Sequence, residues 1–204
     1  YFGEHNPVGF GLHQRNRDFA LYQDAEAHYE SRPSVEVEPV GDWGKGAVRL
    51  VEIPTEYETN DNIVAFWVPE GTIVAGDARE FAYRLRWGDL PLPERADIAH
   101  VAESRAGHGG VSGGKNDPNS RKFVIDFKGG LLGNLPGNAE VEAVVSVQQG
   151  EIVNQTLERL DGMDIWRLVL DVVAPAGATV ELGAHIAGYG RKLTETWLYQ
   201  WNKA

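Results

Sequence analysis

An all-β fold is what this sequence predicts, and three observations carry the prediction. The 204 residues contain 24 glycines and 10 prolines, which punctuate the chain at short intervals. Between them lie short runs rich in Val, Ile, Phe, Trp and Tyr, the residue types that suit a pleated, half-buried surface. Sustained helical periodicity is nearly absent, and 42% apolar residues is enough to build real cores.

Residues 7–33 open on Pro7-Val-Gly-Phe-Gly-Leu and continue into a polar stretch in which Phe19, Tyr22, Ala25 and Tyr29 fall at roughly helical spacing. Pro33 ends any helix there, because its ring removes an N–H and restricts the residue before it. One or two helical turns inside a long polar loop are expected. Strands are then expected at 34–40, 47–53, 63–68 and 79–87. In the last, Phe81, Tyr83, Leu85 and Trp87 alternate with Ala82, Arg84 and Arg86, the period of two that belongs to a half-buried sheet.

From residue 88 the pattern stops. Leu90-Pro-Leu-Pro, a short charged turn and Gly107-His-Gly-Gly-Val-Ser-Gly-Gly read as linker and loop. The expected organisation is a first domain over 1–88, a linker over 89–119 and a second domain over 120–204. Six strands are expected in the second, at 121–127, 139–148, 152–160, 164–173, 178–186 and 193–201. Trp166, Leu168, Leu170 and Val172 share one face, and the alternation of Trp197, Tyr199 and Trp201 reads as core packing. About 85 residues of this kind fit an immunoglobulin-like sandwich.

The formal charge of −11, from 30 acidic against 19 basic residues, argues against a phosphate backbone as partner, so nucleic acid is not expected: no basic stripe offsets the repulsion. No apolar run approaches the roughly 20 residues that span a bilayer, so direct membrane insertion is not expected. The absence of cysteine removes thiolate catalysis and zinc–thiolate sites. The six histidines show no pairing suited to a metal, so neither a metal site nor a cofactor is expected. The start on Tyr1, in a loop and without Met, reads as a mature or truncated piece.

Residues 52–64 pack four carboxylates and two carboxamides beside an apolar strand. Glu58 and Asp61 stand three residues apart, close enough in a turn for one charge to raise the other's pKa, as a general acid working near neutral pH requires. The same spacing also serves a turn whose Asp and Asn cap backbone groups. Gln14, Arg15, Arg17, Asp18, Tyr22, Asp24, Tyr29 and Arg32 form a second cluster, with aromatics among bidentate hydrogen-bonding groups. Sugars are bound by such mixtures, since C–H faces pack on aromatic planes while hydroxyls take charged partners. A solvated loop with internal ion pairs accounts for it equally. Trp43, between Gly41-Asp42 and Gly44, is either an exposed stacking platform or a ring tucked under its own turn.

At residues 9–19 (GFGLHQRNRDF), 22–27 (YQDAEA), 29–34 (YESRPS), 38–44 (EPVGDWG), 51–55 (VEIPT), 58–67 (ETNDNIVAFW) and 194–197 (TETW) the chain resembles the periplasmic glucan biosynthesis proteins G and D. The likeness runs nearly end to end. It implies a secreted periplasmic protein, its signal peptide outside this stretch, needed to make osmoregulated periplasmic glucans. It implies that residues 1–88 are the last part of a galactose-mutarotase-like β-sandwich and that the immunoglobulin-like domain follows. Such a half sandwich exposes apolar strand edges, so association with the missing N-terminal segment or with another copy is expected. Members are also linked to inverting hydrolysis of β-1,2-linked glucan. By that likeness Asp61 is the general acid, Glu58 its neighbour, and Tyr29 with Arg32 orders the sugar or a proton relay. The family's base falls before Tyr1, so the isolated chain is expected to be catalytically silent.

Three functions stay open. One is a glucan-biosynthesis factor that binds β-glucan oligosaccharide in a cleft of the first domain and presents it to membrane glucan-synthesis enzymes. The others are an inverting β-1,2-glucanase and a structural module without glucan chemistry.

Overall fold

The computed structural model describes residues 2–53, 63–90, 97–110 and 117–203. The chain is all-β and divides into two compact units, Tyr1–Pro93 and Glu94–Ala204.

Among the described residues the first unit holds six strands: β1 (Phe2–His5), β2 (Phe10–Leu12), β3 (Ser34–Val40), β4 (Lys45–Glu52), β5 (Ile63–Pro69) and β6 (Ala82–Gly88). They form two antiparallel three-stranded sheets, in the orders β1-β4-β5 and β2-β3-β6. A short helix α1 (Phe19–Tyr22) and a 3-10 turn (Tyr29–Ser31) are the two helical turns of the loop between β2 and β3.

The core of this unit is aromatic. Trp43 donates its Nε1–H to the Ala82 carbonyl at 3.0 Å, which fastens the β3–β4 turn to β6. Its ring meets Phe81 at 5.2 Å, Trp67 at 6.1 Å, Phe10 at 6.3 Å and Tyr83 at 6.4 Å between centroids. Edge-on pairs of this kind add about 0.5–1.5 kcal/mol each beyond the area they bury. Gly46 lies under the Trp67 ring, and a Cβ at that position would strike it.

Away from Trp43 the apolar faces are bare. Leu85 and Trp87 continue the row of Phe81 and Tyr83, yet Trp87 is 63% exposed. The register puts Val48 opposite Trp67 on one face of β4–β5, and Val51 opposite Val64 on the other. Val51, Val64 and Phe66 are also exposed. The alternation expected in β6 is therefore present, but the half-burial expected with it is not. A strand that is apolar on both faces is the pattern of one covered on both sides.

The second unit has the complete core that the first lacks. One sheet has the order β10 (Glu151–Arg159), β11 (Ile165–Val173), β8 (Asp117–Lys128), β7 (His100–Gly109). In the other, β12 (Thr179–Gly188) pairs with β9 (Val141–Gln148) on one side and with β13 (Arg191–Lys192) and β14 (Trp197–Asn202) on the other. Between them Phe123, Ile125 and Phe127 of β8, Trp166, Leu168, Leu170 and Val172 of β11, and Val180, Leu182, Ala184 and Ile186 of β12 interlock at 3% exposure or less. The Val, Leu, Ile and Phe side chains among them contribute about 1.5–3 kcal/mol apiece by leaving water, and Leu168→Ala would leave a cavity costing about 2–5 kcal/mol. Trp197, Tyr199 and Trp201 pack on Phe123, which is the core role expected of them.

Two differences from the sequence expectation have local causes. Residues 100–109, read as linker, form the ten-residue strand β7. It is an edge strand made by backbone pairing with β8, and it is exposed except at its ends, so no apolar alternation marks it. The strand expected over 193–201 is interrupted. Leu193 and Thr194 turn inward, Thr194 Oγ1 accepts the Ile186 N–H at 3.0 Å, and Ala99 forms a parallel bridge with Thr194. The Ala99 N–H reaches the Leu193 carbonyl, the Glu195 N–H reaches the Ala99 carbonyl, and the Val101 N–H reaches the Glu195 carboxylate.

Candidate functional site

The β2–β3 loop of the first unit gathers most of the expected sugar-binding residues. Gln14 organises it. Its backbone N–H donates to the fully buried Ser34 hydroxyl, and its carboxamide donates to the Tyr29 carbonyl at 3.0 Å, the Asn16 carbonyl at 3.1 Å and Tyr22 Oη at 2.5 Å. Tyr22 Oη in turn donates to the Asn16 carbonyl at 3.0 Å. The rings of Tyr22 and Tyr29 stack with centroids 6.3 Å apart, and the Arg32 guanidinium stands 4.6 Å from the Tyr29 centroid.

Arg17 staples the loop from the other side. Its guanidinium donates to the carbonyls of Arg32, Glu30 and Asp89 and to Ser34 Oγ, and it pairs with the Asp89 carboxylate at 3.5 Å. Four acceptors spread over residues 30–89 fix one guanidinium, so its role is to hold the loop rather than to meet a ligand. Arg15 is exposed in the same loop.

Asp18 and Asp24, expected among the sugar-binding groups, are engaged elsewhere. Asp18 is the N-cap of α1, accepting the Ala20 N–H at 2.9 Å. Asp24 accepts the N–H groups of Glu26 and Ala27 at 2.9 Å each, and those bonds, the one from Ala27 foremost, hold its carboxyl below the usual carboxylate value. Local capping engages one carboxylate oxygen at both positions because an Asx side chain finds backbone donors two residues on. Trp43 is 9% exposed and lies in the aromatic core, so of the two environments open to it the structure has the ring tucked under its turn rather than the stacking platform.

Glu30 is the group that sequence reasoning missed. Its side chain is 15% exposed, Oε1 accepts from His28 Nδ1 and from Ser31 Oγ at 3.2 Å each, and Oε2 is buried without a partner among the described residues. Burial acts to raise this carboxyl, but bonds from its own N–H, His28 and Ser31 outweigh it and hold it below the usual value. His28 adopts a left-handed backbone at φ +49°, rare for a non-glycine residue, which brings its ring to Glu30. Nothing in the local sequence beyond a carboxylate between two aromatic-flanked polar residues signals this pair.

Glu58 and Asp61 lie outside the described residues. The described surface thus offers a stacked tyrosine pair and a guanidinium on one of the rings, within a hydrogen-bonded loop that also holds the ionised, largely buried Glu30 carboxylate. Such a set suits the C–H faces and hydroxyls of a sugar. No cluster of three or more His, Asp or Glu side chains placed to hold a metal occurs among the described residues, and no helix among them is long and apolar enough to cross a membrane.

Comparison with known proteins gives a concordant result. Residues 1–201 match the family model described as "Periplasmic glucan biosynthesis protein, MdoG". The chain is 80% identical over its full 204 residues to glucans biosynthesis protein G of Cereibacter sphaeroides, of which it covers 38%. It is 46% identical over 202 residues to glucans biosynthesis protein D of Stenotrophomonas maltophilia and 44% identical over 202 residues to the probable protein D of Shewanella oneidensis. The matches take in 98% of this chain but 38% and 37% of those relatives, so the chain spans well under half of their length.

Proposed function

Because the chain belongs to the MdoG family of periplasmic glucan biosynthesis proteins, we propose that it is part of a periplasmic protein that serves glucan synthesis by holding a β-1,2-linked glucose backbone on its first unit. The observation that carries this reading is the Gln14–Tyr22–Tyr29–Arg32 assembly: a stacked aromatic pair whose geometry is fixed by hydrogen bonds before any ligand arrives. Preorganisation of this kind lowers the entropic cost of binding. The 80% identity to a G protein, against 44–46% to D proteins, favours the biosynthetic G type.

The bare faces of β3–β6 and β4–β5 belong to the same reading. Val51, Val64, Phe66, Leu85 and Trp87 would be covered by the larger part of the family's length, outside the 38% matched here. The first unit would then be one portion of a larger sandwich, with the sugar-binding loop at its surface. Delivery of the glucan to membrane glucan-synthesis enzymes would follow from the same site.

The test is titration calorimetry of the complete protein with β-1,2-linked glucose oligosaccharides. Heat of binding that falls at least tenfold in affinity on Tyr29→Ala supports the reading; no heat with the unaltered protein rejects it. The second reading is an inverting hydrolase in which Asp61 protonates the leaving oxygen while Tyr29 and Arg32 order it. The Arg32 guanidinium against the Tyr29 ring favours it, since a fixed phenol is a suitable proton carrier. Loss of chain cleavage in Asp61→Asn with retained binding would support hydrolysis, and a linear glucan left uncut by the unaltered protein would exclude it.

A further inference from the structure

The second unit carries a groove of about 650 Å³ at the hairpin end of its β9–β12–β13 sheet, lined by residues 140–142 and 187–192. Inward residues of β12 are the buried Val180, Leu182, Ala184 and Ile186, so His185 and Ala187 face outward. The register sets Glu142 of β9 and Lys192 of β13 on either side of Ala187, giving a small apolar floor between an acid and a base. Glu140 extends the acidic wall. One step back along β12 stands the half-buried His185. Burial, and then Lys192, lowers its pKa, so at neutral pH its ring both donates and accepts hydrogen bonds.

At the end of the groove the β12–β13 hairpin turns through Tyr189 and Gly190, both left-handed, at φ +54° and +75°. Such two-residue turns favour Asn-Gly or Asp-Gly, because a bulky side chain in this conformation is strained. Tyr189 is nevertheless there, 65% exposed, and its hydroxyl and ring have no hydrogen bond or aromatic contact among the described residues. An aromatic side chain held out at conformational cost, beside a charged groove of ligand size, points to recognition rather than to packing.

We propose that this groove is a second carbohydrate-binding site, in which the Tyr189 ring takes the C–H face of a glucose unit and Glu142 and Lys192 take its hydroxyls. The inference rests on the glucan-binding reading above and extends it to the second unit. A long glucan held at two places would gain in avidity over either contact alone.

Hydrogen–deuterium exchange on the complete protein with and without a β-1,2-linked glucose oligosaccharide tests it. Protection of residues 187–192 is expected alongside protection of residues 14–32. Tyr189→Asn relieves the backbone strain, so it should hold or raise the melting temperature while reducing protection at 187–192 at least tenfold and leaving 14–32 unchanged. Protection at 14–32 with none at 187–192 would overturn the second site and leave the first reading standing. Protection at neither place would remove both. A lowered melting temperature with protection intact in Tyr189→Asn would make the tyrosine structural and overturn the proposal.

Discussion

The carboxylate of Asp126 on β8 receives both Nε and Nη2 of Arg167 on β11, each at 2.7 Å. The register places the two residues directly opposite one another, and Arg105 of β7 approaches the same carboxylate at 3.4 Å. Asp126 is 4% exposed, although it stands on the face of β8 away from the core, because the guanidinium lies over it.

Removing one partner strands the other. Arg167→Ala is expected to destabilise the second unit by about 3 kcal/mol, at the low end for a broken buried pair because 31% of the Arg167 side chain already meets water. Urea denaturation followed by tryptophan fluorescence measures it, and a loss under about 1 kcal/mol would place this pair with ordinary surface bridges.

The same pair sets an acid limit. The hydrogen bond from Arg167, above all, holds the Asp126 carboxyl below its ordinary value. A depressed folded-state pKa contributes stability that is present above the unfolded value, about 3.9, and is lost as pH falls through the folded one. Stability should therefore fall below about pH 4 in the unaltered protein, and the fall should be shallower in Asp126→Asn. Identical acid limbs for the two proteins would contradict this assignment.

In the loop proposed to bind sugar, Arg32→Ala removes the guanidinium from the Tyr29 ring and should weaken glucan binding by about 1–2 kcal/mol, roughly 5–30-fold. Arg32→Lys should recover only part of it, since an ammonium lacks the planar face. Calorimetry on the complete protein reads both, and full recovery by lysine would show that charge alone matters.

Trp87 tests the bare face of β6. In the 204-residue chain the side chain is 63% exposed, so Trp87→Ala should cost less than about 0.5 kcal/mol. In the complete protein, where the proposed cover buries it, the same change should cost about 3 kcal/mol or more. Equal, small losses in both would mean that the face stays open.

Much of this was legible in the sequence, for identifiable reasons. The 34–40 strand matches its expected bounds, and the faces of β8 and β11 follow from strict alternation, because a sheet with one buried side imposes a period of two. The all-β class and the paired helical turns near Pro33 follow from punctuation. β7 was hidden because an edge strand with Gly107 and charged Glu103 and Arg105 is held by main-chain pairing alone. In the site, residue types identified the loop but not the roles within it. Gln14, Tyr22, Tyr29 and Arg32 converge, whereas Asp18, Asp24 and Arg17 are engaged by the backbone, a competition that depends on local φ and ψ. Trp43 was undecided between two environments until the position of Ala82 was known.

The clasp among Ala99, Val101, Leu193 and Glu195 bears on how the second unit withstands force. Tension arriving along the chain at Asp97 meets three hydrogen bonds beside a parallel bridge. Single-molecule pulling should find the first rupture of this unit there, earlier in Glu195→Ala than in the unaltered protein.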